Sequence, residues 1–258
     1  MKLSIESTLD YRFDQPTDIL LQLEAAIIPE QIVENAFIEL SPTEHFARVS
    51  GHDQIGDRIW LRVAERLTVK YRAVVTTQRL LADIRDLAQV PMHALPGETV
   101  EYLMPSRFCQ SDQCQQMVDG EFTGLMGGAR VDAIRQWVSD HFEYVPGSTT
   151  AETTAIDTFV KRQGVCRDYA HAVVTLTRAC GIPARIVSAY ALGVEPQDFH
   201  AVAEVFLGGA WHLVDATGMA QPAGIAKIGV GRDAADVSFL TSYGQSHYLN
   251  QQVWVTAG

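Results

Sequence analysis

QGVCRDYAH, residues 163–171, sets a glycine and a cysteine where one helical stretch stops and the next starts. Gly164 closes a helical pattern over 153–163. Cys166 opens another over 166–180, stopped by Gly181 with Pro183 just beyond, the usual exit signal of a helix. A thiol at a helix N-terminus sits at the positive end of the macrodipole. Free amide N–H groups there favour thiolate over thiol. The same groups can donate to the oxyanion of an attacked carbonyl. Cys166 is therefore a candidate nucleophile. The plainer alternative is a small apolar residue buried and inert at a helix start.

A thiol nucleophile needs a base, and the base needs a group to orient it. Residues 198–217, DFHAVAEVFLGGAWHLVDAT, read as a β-hairpin turning at Gly208-Gly209. A two-residue turn sets Leu207 opposite Ala210 and Val202 opposite Asp215. His200 and Asp215 then become diagonal neighbours on one face, and His212 points to the other. A three-residue turn would reverse that parity. The arrangement predicts Cys166 as nucleophile, His200 as general base and Asp215 as the carboxylate that fixes the imidazole. An ordinary polar pair on a half-buried strand is the competing reading of His200 and Asp215.

Composition narrows the rest. Among 258 residues, 47% are hydrophobic and 20% charged, which suits a globular chain of one large or two smaller domains. Lys+Arg number 20 and Asp+Glu 31, a formal charge of −11. Such a balance disfavours a nucleic-acid binder and suggests that basic substrates are steered inward. No basic run marks a membrane anchor, and no apolar run of about 18 residues marks a transmembrane helix. Glu6 and Asp10 interrupt any signal-peptide core. Four cysteines, Cys109, Cys114, Cys166 and Cys180, are too few for a disulfide scaffold, so a cytoplasmic location with free thiols is expected. Cys109 and Cys114 have C-x4-C spacing without a second pair, so no metal is expected, and nothing calls for a cofactor. The absence of G-x-S-x-G disfavours a serine hydrolase.

Along the chain, residues 2–13 alternate apolar and polar, and 19–28, 37–40, 58–63 and 67–75 look like further strands. They predict a small antiparallel β-sandwich over residues 1–88. Pro91, Pro96 and Gly97 mark 90–99 as a linker. Residues 129–142 carry Val131, Ile134, Trp137, Val138 and Phe142 on one helical stripe. Strands return at 184–192, 201–207, 211–216 and 253–256. The expected fold is α+β: the sandwich, then a core over 89–258 made of helices and a sheet.

These motifs carry a resemblance. GVCRDYAH (164–171) followed by RACGIPARIVSAY (178–190), FHA (199–201) with AEV (203–205), Trp211 with VDAT (214–217), GVGRDAADV (229–237) and LMPSRF (103–108) resemble the bacterial transglutaminase-like cysteine enzyme family over nearly the whole chain. The resemblance implies a papain-like core, with the Cys166 helix packed on an antiparallel sheet that carries His200 and Asp215. It implies a cysteine-dependent amide or peptide hydrolase or acyl transferase that forms a thioester on Cys166. The expected partner is a peptide or protein substrate, with an amine acceptor if acyl transfer is the outcome. Two positions depart from the family pattern: Val202 stands where Trp is frequent, and Ala216 where Asp-Pro-Thr is frequent. A smaller residue at 202 suggests a less enclosed site and so favours hydrolysis. A protein-glutamine transglutaminase and a non-catalytic peptide-binding module are the alternatives. His171, Arg167 and Asp168 are read as packing, capping or salt-bridge residues, Cys180 as core, and Arg232 with Asp233 or Asp236 as the Arg–Asp clasp of a turn.

Overall fold

A computed structural model describes residues 1–258. The N-terminal part folds as β1 (Lys2–Phe13), β2 (Thr17–Leu21), β3 (Gln31–Leu40), β4 (His45–Ser50), β5 (Asp57–Val63) and β6 (Arg66–Thr77). Short 3-10 turns follow, including Met92–Ala94 and Gly97–Leu103, where the sequence suggests a linker. Next come α1 (Gln115–Glu121), α2 (Gly127–His141), β7 (Glu143–Tyr144), α3 (Ala155–Lys161), β8 (Gln163–Gly164) and α4 (Cys166–Ala179). The chain ends with β9 (Ala184–Ala191), β10 (His200–Leu207), β11 (Ala210–Val214), β12 (Ile225–Gly231), α5 (Ala234–Val237), β13 (Leu240–Ser242) and β14 (Ser246–Ala257). The architecture is α+β, as expected. No helix is long and apolar enough to cross a membrane.

Two four-stranded antiparallel sheets, ordered β14-β1-β6-β3 and β13-β2-β5-β4, face each other across one apolar core. Alternation drives this: in β1, Leu3, Ile5, Leu9, Tyr11 and Phe13 point inward and are buried, while the residues between them stay wetter. The last two strands, inside the stretch 89–258, pair with β1 and β2 and complete both sheets. The segment 19–28 is strand only as far as Leu21; Leu23, Ala25 and Ala26 are buried without strand pairing.

The second unit stacks α4 on the antiparallel sheet β11-β10-β9-β12. Along α4, Tyr169, Ala172, Val173 and Leu176 bury against Ala203, Val205 and Leu207 of β10. The two units share their interior. Tyr190 of β9 lies in the sandwich core and donates its hydroxyl to Leu23 O at 2.8 Å. Gln31 donates to Lys227 O at 2.9 Å and accepts the Lys227 N–H at 2.9 Å. Gly56 sits at this junction with φ +74°, and a Cβ there would lie 2.0 Å from Ile228 O. Gly56→Ala is expected to destabilise the protein by at least about 2 kcal/mol, read as a lower urea midpoint.

Candidate active site

Gly164 ends β8 close against the first turn of α4, where a Cβ would lie 2.7 Å from Asp168 Cβ. Asp168 turns back and accepts the Val165 N–H at 2.8 Å, clamping the helix start. This fixes Cys166 as the first residue of α4, half-buried at the edge of a cleft of about 490 Å³.

β10 and β11 turn at Gly208-Gly209 with Leu207 opposite Ala210 and Ala203 opposite Val214. That is the register of a two-residue turn, so the parity argument holds. His200 Nε2 meets Asp215 Oδ2 at 2.9 Å, and both side chains are almost fully buried. His212 turns away, its ring nitrogen 3.2 Å from Leu207 O. Asp215 is itself held: Oδ1 accepts the Thr217 N–H at 2.8 Å and the Thr217 hydroxyl at 2.7 Å, and Oδ2 accepts the Ala220 N–H at 3.0 Å. Burial opposes its charge, but the bonds from His200 and Thr217 prevail and hold the carboxyl below its ordinary range.

The second imidazole nitrogen, Nδ1, is buried and takes no other protein partner, which leaves it for the Cys166 thiol. Burial disfavours the imidazolium, yet the hydrogen bond to Asp215 and the neighbouring Cys166 outweigh it and lift His200 to about 9. Because this value lies above the ordinary 6.5, the group stabilises the fold fully below pH 6.5. That contribution fades as pH rises through about 9. Asp215→Asn removes the main raising partner, so His200 is expected to titrate well below 9, readable from its ring-proton NMR shifts.

Tyr144 is the functional neighbour that sequence reasoning leaves unplaced. The two-residue parallel pairing of β7 with β8 sets Tyr144 opposite Gly164, two residues before the thiol. Burial and the charge of the nearby Cys166 thiol push its hydroxyl up to about 12, so it remains protonated. A tyrosine 22 positions upstream has no spacing rule to reveal it, since the link is a tertiary strand pairing.

Apart from Arg167, the other polar residues singled out in the sequence lie outside the cleft lining. Burial holds His171 down at about 3, and its neutral Nε2 accepts the Ala234 N–H at 3.1 Å while the ring stacks on Phe108. Of the two candidate carboxylates, Asp236 forms the clasp with Arg232, at 2.9 and 3.2 Å, while Asp233 accepts backbone N–H groups. Val202 is 1% exposed, packed with Val187, Ala189 and Val230, and does not line the cleft. Its size therefore has no direct bearing on how open the site is. Cys109 and Cys114 lie in the helical core.

The profile of the transglutaminase-like superfamily matches residues 112–216, a stretch that includes Cys166, His200 and Asp215. A solved structure from Cytophaga hutchinsonii, provisionally named a cysteine protease, is similar at 34% identity and TM-score 0.94, covering 99% of this chain and 90% of that one. An uncharacterised protein of Mycobacterium leprae is 32% identical over 117 residues, 42% of this chain and 42% of that protein. The chain thus spans less than half the length of that curated relative.

Proposed function

Because the chain belongs to the transglutaminase-like superfamily, we propose that it cleaves amide or peptide bonds through a thioester on Cys166, with water as the final acceptor. The observation that carries this reading is the buried His200–Asp215 pair at 2.9 Å, with the free imidazole nitrogen left to a thiol at a helix start. His200 takes the thiol proton and the resulting thiolate attacks the substrate carbonyl carbon. The developing oxyanion accepts from the Cys166 backbone N–H at the start of α4 and from the Tyr144 hydroxyl, which the β7–β8 pairing brings to this end of the helix. His200 then gives its proton to the departing amine, the C–N bond breaks and the thioester remains. Water enters, loses a proton to His200 and attacks the thioester; the acid leaves and the thiol is restored. Tyr144→Phe is expected to lower kcat about 10- to 1000-fold with intact folding, because one oxyanion donor is lost.

Hydrolysis is favoured over transfer by likeness to the 34% identical Cytophaga protein, provisionally named a protease. The deciding experiment incubates the enzyme with casein and pentylamine in heavy-oxygen water. Mass spectrometry is expected to find heavy oxygen in new carboxyl groups. A stable pentylamine adduct on glutamine, without new carboxyls, overturns hydrolysis in favour of a transglutaminase.

A further inference from the structure

The charge inside the cleft runs against the charge of the chain. The whole protein carries −11, yet no Asp or Glu lines the cleft that holds Cys166. Its charged and titratable side chains are Arg107, Arg167 and His200, besides the thiol itself. Arg107 enters no ion pair and no side-chain hydrogen bond; its guanidinium instead lies over the Phe108 ring, 4.8 Å from the centroid. That ring is a fixed platform: the Phe108 N–H donates to Asp233 at 2.8 Å, and the ring stacks on His171 at 5.4 Å. Arg107 is exposed but held at the cleft by this contact.

Arg167 is one residue beyond the thiol. One of its Nη groups donates to Thr150 O at 2.7 Å and reaches Asp168 at 3.4 Å, while its Nε is buried with no partner. The carboxylates that flank the lining are engaged and stand outside it: Asp233 accepts the Phe108 and Ala235 N–H groups and Asp236 pairs with Arg232. Asp168 takes the Val165 N–H, and Asp198 takes the Phe199 N–H at 2.7 Å and the Gln251 amide. The rest of the cleft is largely apolar, with Ile186, Phe199 and Phe239.

We infer that this cleft selects acyl donors carrying a carboxylate beside the reacting carbonyl, as in an acidic peptide, with Arg107 and Arg167 as the recognising cations. Guanidinium groups suit this role because they remain charged and match carboxylate geometry. Two cations at an apolar, acid-free cleft focus the local field on anions even when the net charge has the opposite sign. The expectation from composition, that basic substrates are steered inward, is thereby reversed at the site. This inference rests on the cysteine-enzyme reading above, so its test must separate the two.

Iodoacetate and iodoacetamide alkylate a thiolate by the same step, forming an S–C bond and releasing iodide, and differ in one negative charge. The rate of each at Cys166 is measured by peptide mass mapping at pH 7. The iodoacetate-to-iodoacetamide ratio is expected to exceed that of a free cysteine peptide and to collapse in about 1 M salt. Arg107→Gln lowers the ratio at least about threefold, Arg107→Lys retains it, and the Arg107→Gln/Arg167→Gln double variant lowers it further. The neutral reagent reports in every variant whether the site is still assembled. An unchanged ratio in the double variant, with rapid iodoacetamide labelling of Cys166, overturns anion selection and leaves the enzyme reading standing. Iodoacetamide labelling of Cys166 no faster than that of Cys114 removes the enzyme reading and this inference together.

Discussion

Cys166→Ala is expected to abolish turnover of every amide or peptide substrate the intact protein accepts, by roughly ten-thousand-fold or more. No other thiol can substitute. Cys109 and Cys114 are buried in the helical core, and Cys180 lies at the far end of α4. The fold should barely notice the change. Cys166 is half-buried at a helix start, belongs to none of the apolar clusters and makes no hydrogen bond that the helix depends on. Its unfolding free energy is expected within about 1 kcal/mol of the parent, as for an ordinary partly exposed substitution. His200→Ala should cost nearly as much activity, and the Cys166→Ala/His200→Ala pair little more than either alone, because the residues act as one unit. A double variant that loses activity additively would contradict a shared nucleophile–base step. The measurement is kcat/KM beside an unfolding curve for each protein.

Glu204→Ala is expected to give the largest loss of stability, about 3–5 kcal/mol, because it removes the one fully buried anion shared by two buried cations and leaves each with a single, partly exposed partner. Glu204 is fully buried in β10 between Arg185 of β9 and Lys227 of β12. Its carboxylate accepts from Arg185 at 2.7 and 2.8 Å and from the Lys227 ammonium. Lys227 reaches Glu30 at 2.7 Å and Arg185 reaches Asp53 at 2.6 Å, so the network ties the sheet of the second unit to the sandwich. Arg185 also lies over Trp211, 4.0 Å from the ring centroid. Burial opposes the Glu204 charge, but Lys227 and Arg185 override it and lower its pKa from the ordinary 4.5. A lowered carboxylate contributes stability that is complete above about pH 4.5 and lost as pH falls through the folded value. Urea unfolding at pH 7 and pH 4 should show the parent losing stability on acidification, and Glu204→Ala losing less. Equal acid sensitivity in the two proteins would show that the network is not the source.

The site was more legible in the sequence than the fold around it. Gly208-Gly209 admits a two-residue turn, and once that length is granted, strand parity selects His200 and rejects His212. Cys166 opens α4 where the pattern places it, but Gly164 is not the stop of the helix before it: α3 ends at Lys161 with Arg162 as its left-handed cap, and Gly164 lies in β8, where the missing Cβ admits Asp168. Local rules of this kind read well. Long-range pairings read poorly. The strand β4 is mostly exposed and shows no clean alternation. The strand β12 carries a buried lysine and three glycines or alanines, which resembles a turn rather than a strand. The partner of β1 lies more than 230 residues away in β14, beyond any local pattern. Tyr144 cannot be placed from the sequence for the same reason: a two-residue pairing with β8 sets it opposite Gly164, beside the nucleophile segment. Loop burial also misled, since Leu23, Ala25 and Ala26 are apolar because they cover the core, not because they form a strand.

The most direct test of a Cys166–His200–Asp215 centre is iodoacetamide labelling of all four thiols between pH 5 and pH 9, followed by peptide mass mapping. Burial raises Cys109 to about 12 and Cys114 to about 11, and also pushes Cys180 up, so none of these should react near pH 6. Cys166 alone is expected to label at pH 6, and His200→Ala is expected to slow it at least about tenfold by removing the imidazolium partner. Labelling of Cys166 at pH 6 no faster than the buried thiols, or unchanged by His200→Ala, would contradict an assembled thiolate–imidazolium pair and favour a peptide-binding role for the same cleft.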